Sequence, residues 1–127
     1  MIEACDIKQK LKVLIVDDSS LIIARLRHLL RHAENISGFS DAHDFEEGKF
    51  LFEREKPDVV LLDIHLPVKS GLDLLNHIRK NDLRTKIIVV SNEAGNYYRK
   101  LSLRMGADYF IDKTYEFEKL PGILFNL

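Results

Sequence analysis

The chain has 127 residues, of which 46% are hydrophobic and 31% are charged. This balance is typical of one globular domain rather than of a disordered chain. The 19 basic and 20 acidic side chains leave a formal net charge of -1, which is too small for broad binding to a nucleic-acid backbone. We therefore expect no direct nucleic-acid partner.

The N-terminal segment mixes acidic, basic and apolar residues and lacks the continuous apolar stretch of a signal peptide. No later apolar run approaches the length that spans a bilayer. The sequence thus predicts a cytoplasmic protein without a membrane partner, in which residues 1–10 form an extension and residues 11–127 form the domain. Cys5 is the only cysteine, which predicts a free thiol and excludes an internal disulfide or a thiolate metal cluster.

The predicted elements begin with a buried strand over residues 12–16. A helix follows, with Ser20 as its N-cap and with an apolar stripe that faces the sheet. The stripe consists of Ile22, Leu26, Leu29, Leu30 and Ala33. A weaker second strand over about 35–39 contains Gly38, which favours a position at the edge of the sheet.

The second helix is predicted over about residues 42–55, with Phe45 and Phe52 directed inward. Gly48 weakens this helix, because glycine has a low helix propensity. A continuous apolar segment over 59–62 predicts a third strand that is buried on both faces.

The third helix is predicted to begin after Gly71, and a fourth buried strand follows over residues 86–90. The fourth helix ends near Gly106. Its apolar stripe consists of Ala94, Tyr98, Leu101 and Met105.

The last strand is predicted over residues 109–111. The helix after it begins near Glu118, because Pro121 is tolerated only within a first turn. Five repeats of strand and helix predict a doubly wound α/β domain, with a five-stranded parallel sheet flanked by five helices.

Polar side chains follow four of the five predicted strands at their carboxyl ends, where open α/β sheets bind ligands. They are Asp17 and Asp18 after strand 1, Asp63 after strand 3, Ser91 after strand 4 and Lys113 after strand 5. With the strand order 2-1-3-4-5, strands 1 and 3 are neighbours. Three carboxylates then converge where the direction of winding reverses.

Three carboxylates in one crevice raise one another's pKa values unless a cation enters. Their oxygen atoms suit Mg²⁺, or Mn²⁺, better than Zn²⁺. A carboxylate beside such an ion and a lysine can attack phosphorus. Asp63 is the best candidate, because it directly follows a hydrophobic strand and precedes an irregular loop. Ser91 could donate its hydroxyl to a phosphoryl oxygen, and Lys113 could offset its charge.

Each of these residues also has a purely structural interpretation. Asp17 and its neighbours could cap helix 1, Asp63 could belong to a turn, Ser91 could cap helix 4, and Lys113 could be a surface cation. Their joint placement favours a functional site, because separate structural roles do not require an acidic pair, a lone acid, a hydroxyl and a lysine at one edge.

The five histidines show no comparable pattern. His28 and His32 have a spacing that can bind a metal, but the arginines around them favour a solvated basic face. His43 and His77 are expected at exposed helix positions. His65 lies in the predicted site loop.

The order and spacing of these motifs resemble the receiver domains of two-component response regulators, over about residues 11–127. The resemblance is to single-domain members of the chemotaxis-regulator kind and implies their flavodoxin-like fold. Two residues of the matching pattern, Pro67 and Gly71, follow Asp63 by four and eight positions. The other matching segments are residues 13–19, 57–64, 89–91 and 106–113.

By this resemblance, Asp63 would accept a phosphoryl group from a histidine kinase or a histidine phosphotransfer domain. Ser91 and Lys113 would bind the phosphoryl oxygens, and Ser91 and Phe110 would form the switch. The expected Mg²⁺ ligands are Asp17, Asp18, Asp63 and the backbone carbonyl of His65.

The expected output is a protein target, because no residues remain for an output domain. Helix 4, strand 5 and helix 5 would carry the switched surface, with Tyr97 and Phe125 as candidate exposed anchors. The alternative is that these aromatic side chains belong to partly buried packing. The basic stripe of helix 1 would form part of the kinase-facing surface.

Three positions depart from the family pattern. Asn92 follows the switch serine where a very small residue is usual, Phe110 lacks a tyrosine hydroxyl, and Thr114 replaces the usual proline. These changes bear on the lifetime of the phosphoryl group and on the response to it.

Two other functions are considered. A pseudo-receiver that binds partners without phosphorylation would not require the intact set of acidic, serine and lysine residues. An Mg²⁺-dependent aspartate-nucleophile phosphohydrolase needs a second acid two residues after its nucleophile, and neither Ser20 after Asp18 nor His65 after Asp63 supplies one. We therefore expect a phosphorylation-dependent switch and no separate turnover enzyme.

Overall fold

The computed structural model describes residues 10–92 and 96–127, in which five parallel strands form one sheet of order β2-β1-β3-β4-β5. The strands are β1 (Leu11–Val16), β2 (Ile36–Ala42), β3 (Val59–Leu62), β4 (Lys86–Ser91) and β5 (Tyr109–Asp112). The helices are α1 (Ser20–Leu30), α2 (Phe45–Glu55), α3 (Gly71–Asn81), α4 (Asn96–Arg104) and α5 (Leu120–Phe125). The predicted doubly wound fold and strand order are confirmed.

Parts of two predictions lie outside the described residues. They are residues 1–9 of the proposed extension, including Cys5, and Ala94 of the stripe on the fourth helix. The boundary between extension and domain stays a prediction. Among the described residues, no helix is long and apolar enough to cross a membrane.

Two apolar cores lie on the two faces of the sheet, because successive strand residues point to opposite sides. The core on one face joins β1 to α2 and α3 and includes Leu14, Val16, Phe45, Leu74 and Ile78. The core on the other face joins β1 to α1 and α5 and includes Val13, Ile15, Leu26, Leu30 and Leu120. Burial on both faces explains why residues 13–16 of β1 and all of β3 are continuously apolar.

The N-cap of α1 is Ser19, so the prediction of Ser20 was wrong by one residue. The Ser19 hydroxyl accepts from the Ile22 backbone N–H at 3.2 Å. The helix starts earlier because Asp17 Oδ1 accepts from the Ser19 N–H at 2.9 Å and turns the chain before Ser20. Ala33, the last residue of the predicted stripe, lies beyond the end of the helix.

Strand β2 is longer than predicted and lies at the edge of the sheet, as expected. Its extension to Ala42 delays α2, whose N-cap Asp44 accepts from the Glu47 N–H at 2.8 Å. His43 therefore lies between the two elements, and its predicted helical position was wrong. His77 is on α3 as predicted, but it is half-buried, with its ring 6.4 Å from that of Phe45 between centroids.

Gly48 is buried where α2 crosses α3 and β1. A Cβ atom at this position would lie 2.9 Å from Leu74 Cδ2 and 3.3 Å from Val16 Cγ1. The glycine that weakens the helix thus permits its close approach to the sheet. Helix α5 is preceded by a 3₁₀ turn, Phe117–Lys119, and Pro121 lies in its first turn as predicted.

Candidate functional site

Asp17 and Asp63 lie side by side because strands β1 and β3 are paired up to their last residues. Val16 is the register partner of Leu62. The pairing continues into the next residue, since the Asp63 N–H donates to the Val16 carbonyl at 2.9 Å. Asp17 is also held at its other side, where its N–H donates to the Ala42 carbonyl at 3.0 Å.

Strands β4 and β5 place Ser91 and Lys113 at the same edge. Ser91 is the register partner of Asp112 and is completely buried. The Lys113 N–H donates to the Ser91 carbonyl at 2.9 Å. The Lys113 side chain then reaches the acidic residues, and its Nζ lies 2.7 Å from Asp17 Oδ2 and 3.4 Å from Asp63 Oδ2.

Three carboxylates form a compact cluster at this edge. One oxygen atom from each of Asp17, Asp18 and Asp63 lies within 4.8 Å of the others. Asp17 and Asp63 are buried and Asp18 is exposed. Three negative groups with one ammonium leave an excess of negative charge, and oxygen donors at this spacing suit a hard divalent cation.

Burial raises the pKa of the Asp63 carboxyl above its ordinary value of 3.8. The positive charge of Lys113 opposes this effect, and the negative charge of Asp17 adds to it. The His65 N–H, which donates to Asp63 Oδ1 at 3.3 Å, also favours the ionised form. The net increase in pKa means that Lys113 and the His65 N–H offset the unfavourable burial of the ionised Asp63 only in part.

Asp17 makes a contact that starts helix α1 and also belongs to the acidic cluster. Its Oδ1 accepts from the Ser19 backbone, and its Oδ2 contacts the ammonium of Lys113. One carboxylate therefore starts helix α1 and lines the acidic cluster.

At the end of the loop between β3 and α3, Gly71 packs against the backbone of Asp63 and Ile64. The Gly71 N–H donates to the Ile64 carbonyl at 2.7 Å. A Cβ atom on Gly71 would lie 1.9 Å from the Asp63 carbonyl oxygen. Helix α3 begins at Gly71 rather than after it, because the Ser70 hydroxyl caps the helix by accepting from the Leu72 N–H at 2.9 Å.

The positions that depart from the family pattern lie around the cluster. Asn92 and Thr114 are exposed. Phe110 is buried and lies beside Val89 in the register of β4 and β5. The guanidinium of Arg99, which the sequence analysis missed, lies over the Phe110 ring at 4.9 Å from its centroid. No sequence signal distinguished Arg99 from the other basic residues of α4.

The remaining site predictions fall at the surface. His28 is exposed on α1 with Arg25 and Arg27, in agreement with a solvated basic face. Arg31 and His32 are also exposed, but they lie after the last residue of the helix, Leu30. His65 is exposed, and its ring meets Tyr98 of α4 edge to face at 6.0 Å between centroids.

A doubly wound sheet with this acidic edge defines a receiver-type signalling domain. The sequence profile described as "Response regulator receiver domain" matches residues 13–124. The chain belongs to this family, whose typical role is to accept a phosphoryl group in two-component signalling.

Two relatives from Bacillus subtilis illustrate the likeness. The probable C4-dicarboxylate response regulator DctR is 30% identical over 117 residues, which cover 92% of this chain and 52% of DctR. Protein CcdB is 31% identical over 109 residues, which cover 86% of this chain and 90% of CcdB. The chain thus spans about half the length of DctR and nearly all of CcdB.

The fold is also that of a solved receiver. A CheY-like response regulator receiver domain protein from Methanospirillum hungatei JF-1 superposes with a TM-score of 0.80 at 29% identity. The match covers 92% of this chain and 91% of that chain.

Proposed function

We propose that Asp63 is the phosphoacceptor of this receiver domain, with Ser91 and Lys113 as its catalytic partners. The observation that carries the proposal is the position of Lys113. Its ammonium lies 2.7 Å from Asp17 Oδ2 and 3.4 Å from Asp63 Oδ2, beside an acidic cluster at the carboxyl edge of the sheet.

In the proposed reaction, one oxygen of Asp63 attacks the phosphorus of a phosphohistidine on a histidine kinase or a histidine phosphotransfer domain. A phosphorus–oxygen bond forms while the phosphorus–nitrogen bond breaks, and its electron pair returns to the imidazole, which takes up a proton. Lys113 offsets the charge of the phosphoryl oxygens, and the Ser91 hydroxyl donates to one of them.

Asp17, Asp18 and Asp63, with the backbone carbonyl of His65, would hold Mg²⁺ or Mn²⁺. When bound, the ion supplies positive charge that stabilises the transferring phosphoryl group. Support comes from the carboxylate oxygens within 4.8 Å of one another and from the incomplete compensation of Asp63.

Phosphorylation would act through Ser91 and Phe110 on a downstream protein, which would bind the surface of α4, β5 and α5. Tyr97 and Phe125 are 71% and 54% exposed on this surface and would serve as anchors. The basic face of α1 would meet the phosphodonor. We propose that the protein acts in the cytoplasm, with neither nucleic acid nor membrane as a direct partner.

In the decisive experiment, the protein is incubated with Mg²⁺ and acetyl phosphate, and the intact mass of the protein is measured over time. We expect one base-labile phosphoryl adduct, which is lost after chelation of the metal and in Asp63→Asn. Asp41→Asn is the matched control, because Asp41 makes only a surface ion pair with Arg27 at 3.0 Å among the contacts described. That variant should be labelled like the wild type.

Other outcomes would favour the alternatives. An adduct retained in Asp63→Asn would overturn the assignment of the phosphoacceptor. No adduct in the wild type, with partner binding intact, would favour a phosphorylation-independent interaction module. Sustained turnover of phosphate esters would favour an Mg²⁺-dependent phosphohydrolase.

A further inference from the structure

The side chain of Arg99 connects helix α4 to strand β5 through the buried Phe110. Its guanidinium carbon lies 4.9 Å from the centroid of the Phe110 ring. Arg99 Nη1 donates to the Phe110 carbonyl at 3.2 Å, and Nη2 donates to the Glu116 carboxylate. The guanidinium of Arg99 therefore contacts the Phe110 ring, the Phe110 backbone carbonyl and the carboxylate of Glu116, which follows β5 in the chain.

Glu116 carries this connection to the catalytic end of β5. Its carboxylate accepts from the Asp112 N–H at 3.1 Å and from Lys119 Nζ at 3.0 Å. Asp112 is the register partner of Ser91 and directly precedes Lys113. The contacts from Arg99 through Glu116 thus reach Asp112, the residue before Lys113.

We propose that Arg99 is a positioning residue for phosphoryl transfer, which holds Phe110 in its buried position and restrains the backbone that presents Lys113. This inference rests on the proposed phosphoacceptor role of Asp63. It concerns how the site is held, whereas the proposed function concerns which residues react.

The geometry distinguishes this arrangement from an ordinary surface ion pair. The Arg99 side chain is 37% exposed, so its pairing with Glu116 alone would contribute little in water. A planar guanidinium can cover an aromatic ring with its face while its edges donate hydrogen bonds, which a lysine ammonium cannot do in the same way.

Phe110 depends on such a contact because its side chain has no hydroxyl with which to form a hydrogen bond. Its ring is held by packing in the core with Val89 and Ala107 and by the cation that covers it. Without Arg99, we expect the ring to leave its buried position part of the time. Phosphorylation would then require that the ring and the end of β5 be ordered first.

The kinetic test compares Arg99→Ala, Arg99→Lys and the control Arg104→Ala, which changes an exposed arginine of the same helix. Each variant is phosphorylated by acetyl phosphate at saturating Mg²⁺, after its thermal unfolding has verified that it is folded. We expect Arg99→Ala to react about threefold or more slowly and Arg99→Lys to recover only part of the rate. Arg104→Ala should react like the wild type.

A second measurement follows the ring itself, with 4-fluorophenylalanine at position 110 and fluorine NMR. In the wild type, beryllofluoride with Mg²⁺ should change the resonance little, because the ring is already buried. In metal-free Arg99→Ala we expect a shifted or broadened resonance, which beryllofluoride returns toward that of the wild type. Loss of global stability alone would not produce this return.

The inference is overturned if Arg99→Ala leaves the free-state resonance unchanged, or if it reacts as fast as the wild type and Arg104→Ala. Failure of the wild type to be phosphorylated would instead overturn the proposed function. The free-state fluorine spectra would still decide whether Arg99 holds Phe110.

Discussion

The ammonium of Lys113 lies closer to Asp17 than to Asp63, at 2.7 Å from Oδ2 of the first and 3.4 Å from Oδ2 of the second. Both carboxylates are buried, and the ammonium lies nearer to Asp17. Its positive charge therefore offsets the negative charge of Asp63 less than that of Asp17. This inequality agrees with the raised pKa of Asp63, to which burial contributes most.

Asp63→Asn is expected to stabilise the metal-free protein at neutral pH. Because folding raises the pKa of Asp63 above 3.8, ionisation of this carboxyl reduces stability above the raised pKa and has no such effect well below 3.8. The stability gained by the variant should therefore shrink as the pH falls toward 3.8. Urea unfolding at several pH values measures this difference.

The same variant tests the metal site. Mg²⁺ should raise the melting temperature of the wild type, because it binds the folded acidic cluster, and should raise that of Asp63→Asn less. Equal increases in both proteins would contradict a site that includes Asp63.

Lys113→Met should destabilise the metal-free protein by about 3 kcal/mol, because it leaves buried carboxylates without their cation. Mg²⁺ should restore part of this loss, while phosphorylation remains strongly impaired. Lys100→Met, at an exposed position of α4, is the control and should change stability little. A loss as small as that of the control would mean that Lys113 is not the main compensating charge.

Gly71→Ala should destabilise the protein by about 3 kcal/mol and impair phosphorylation, because overpacking against backbone cannot be relieved by a rotamer change. The new Cβ would meet the Asp63 carbonyl oxygen at 1.9 Å. Gly122→Ala is the control, since no atom lies within 4 Å of its added Cβ. That helical substitution should stabilise the protein by about 0.5–1 kcal/mol. Similar effects of the two substitutions on urea unfolding would refute the contact.

Glu116→Gln should reduce stability by about 1 kcal/mol at neutral pH, since the group is partly exposed and solvent screens its ion pairs. Hydrogen bonds from Lys119, Arg99 and the Asp112 backbone lower the pKa of Glu116 from 4.5 to about 2. A lowered pKa stabilises the folded state above 4.5, and the contribution is lost as the pH falls toward 2. The difference between wild type and variant should disappear over that interval. Glu118→Gln, at an exposed position, is the control and should change stability little at neutral pH.

Asn92→Ala and His65→Ala should alter the lifetime of the phosphorylated protein. Both positions are exposed at the mouth of the site, and a smaller side chain at position 92 should admit water and shorten the lifetime by about twofold or more. His32→Ala, at an exposed position after the end of α1, is the control. If both site variants lose the phosphoryl group at the wild-type rate, the side chains at positions 65 and 92 do not control its hydrolysis.

Local patterns predicted the sheet and the composition of its edge. The central strands contain continuous apolar runs because both faces of these runs are buried, and this property is visible in the sequence. Asp17, Asp63 and Ser91 were predicted together because each lies at the carboxyl end of such a run. The five strands could then be ordered by the rules of doubly wound sheets.

The predicted ends of two elements were wrong, because a side-chain contact or a longer strand moved the boundary between neighbouring elements. Asp17 turns the chain so that Ser19, not Ser20, caps α1. The extension of β2 to Ala42 moves His43 out of α2. Similar residues can cap or extend neighbouring elements, so sequence patterns define these ends only to within a few residues.

Strand burial and chain order are local properties, so the sequence alone predicts which chemical groups stand at the ends of the strands. Folding in three dimensions brings Lys113 closer to Asp17 than to Asp63 and places Gly71 against the Asp63 carbonyl. It also places the guanidinium of Arg99 over the Phe110 ring. These contacts depend on the register of strands and on the packing of helices far apart in the chain, and no local pattern encodes such distances.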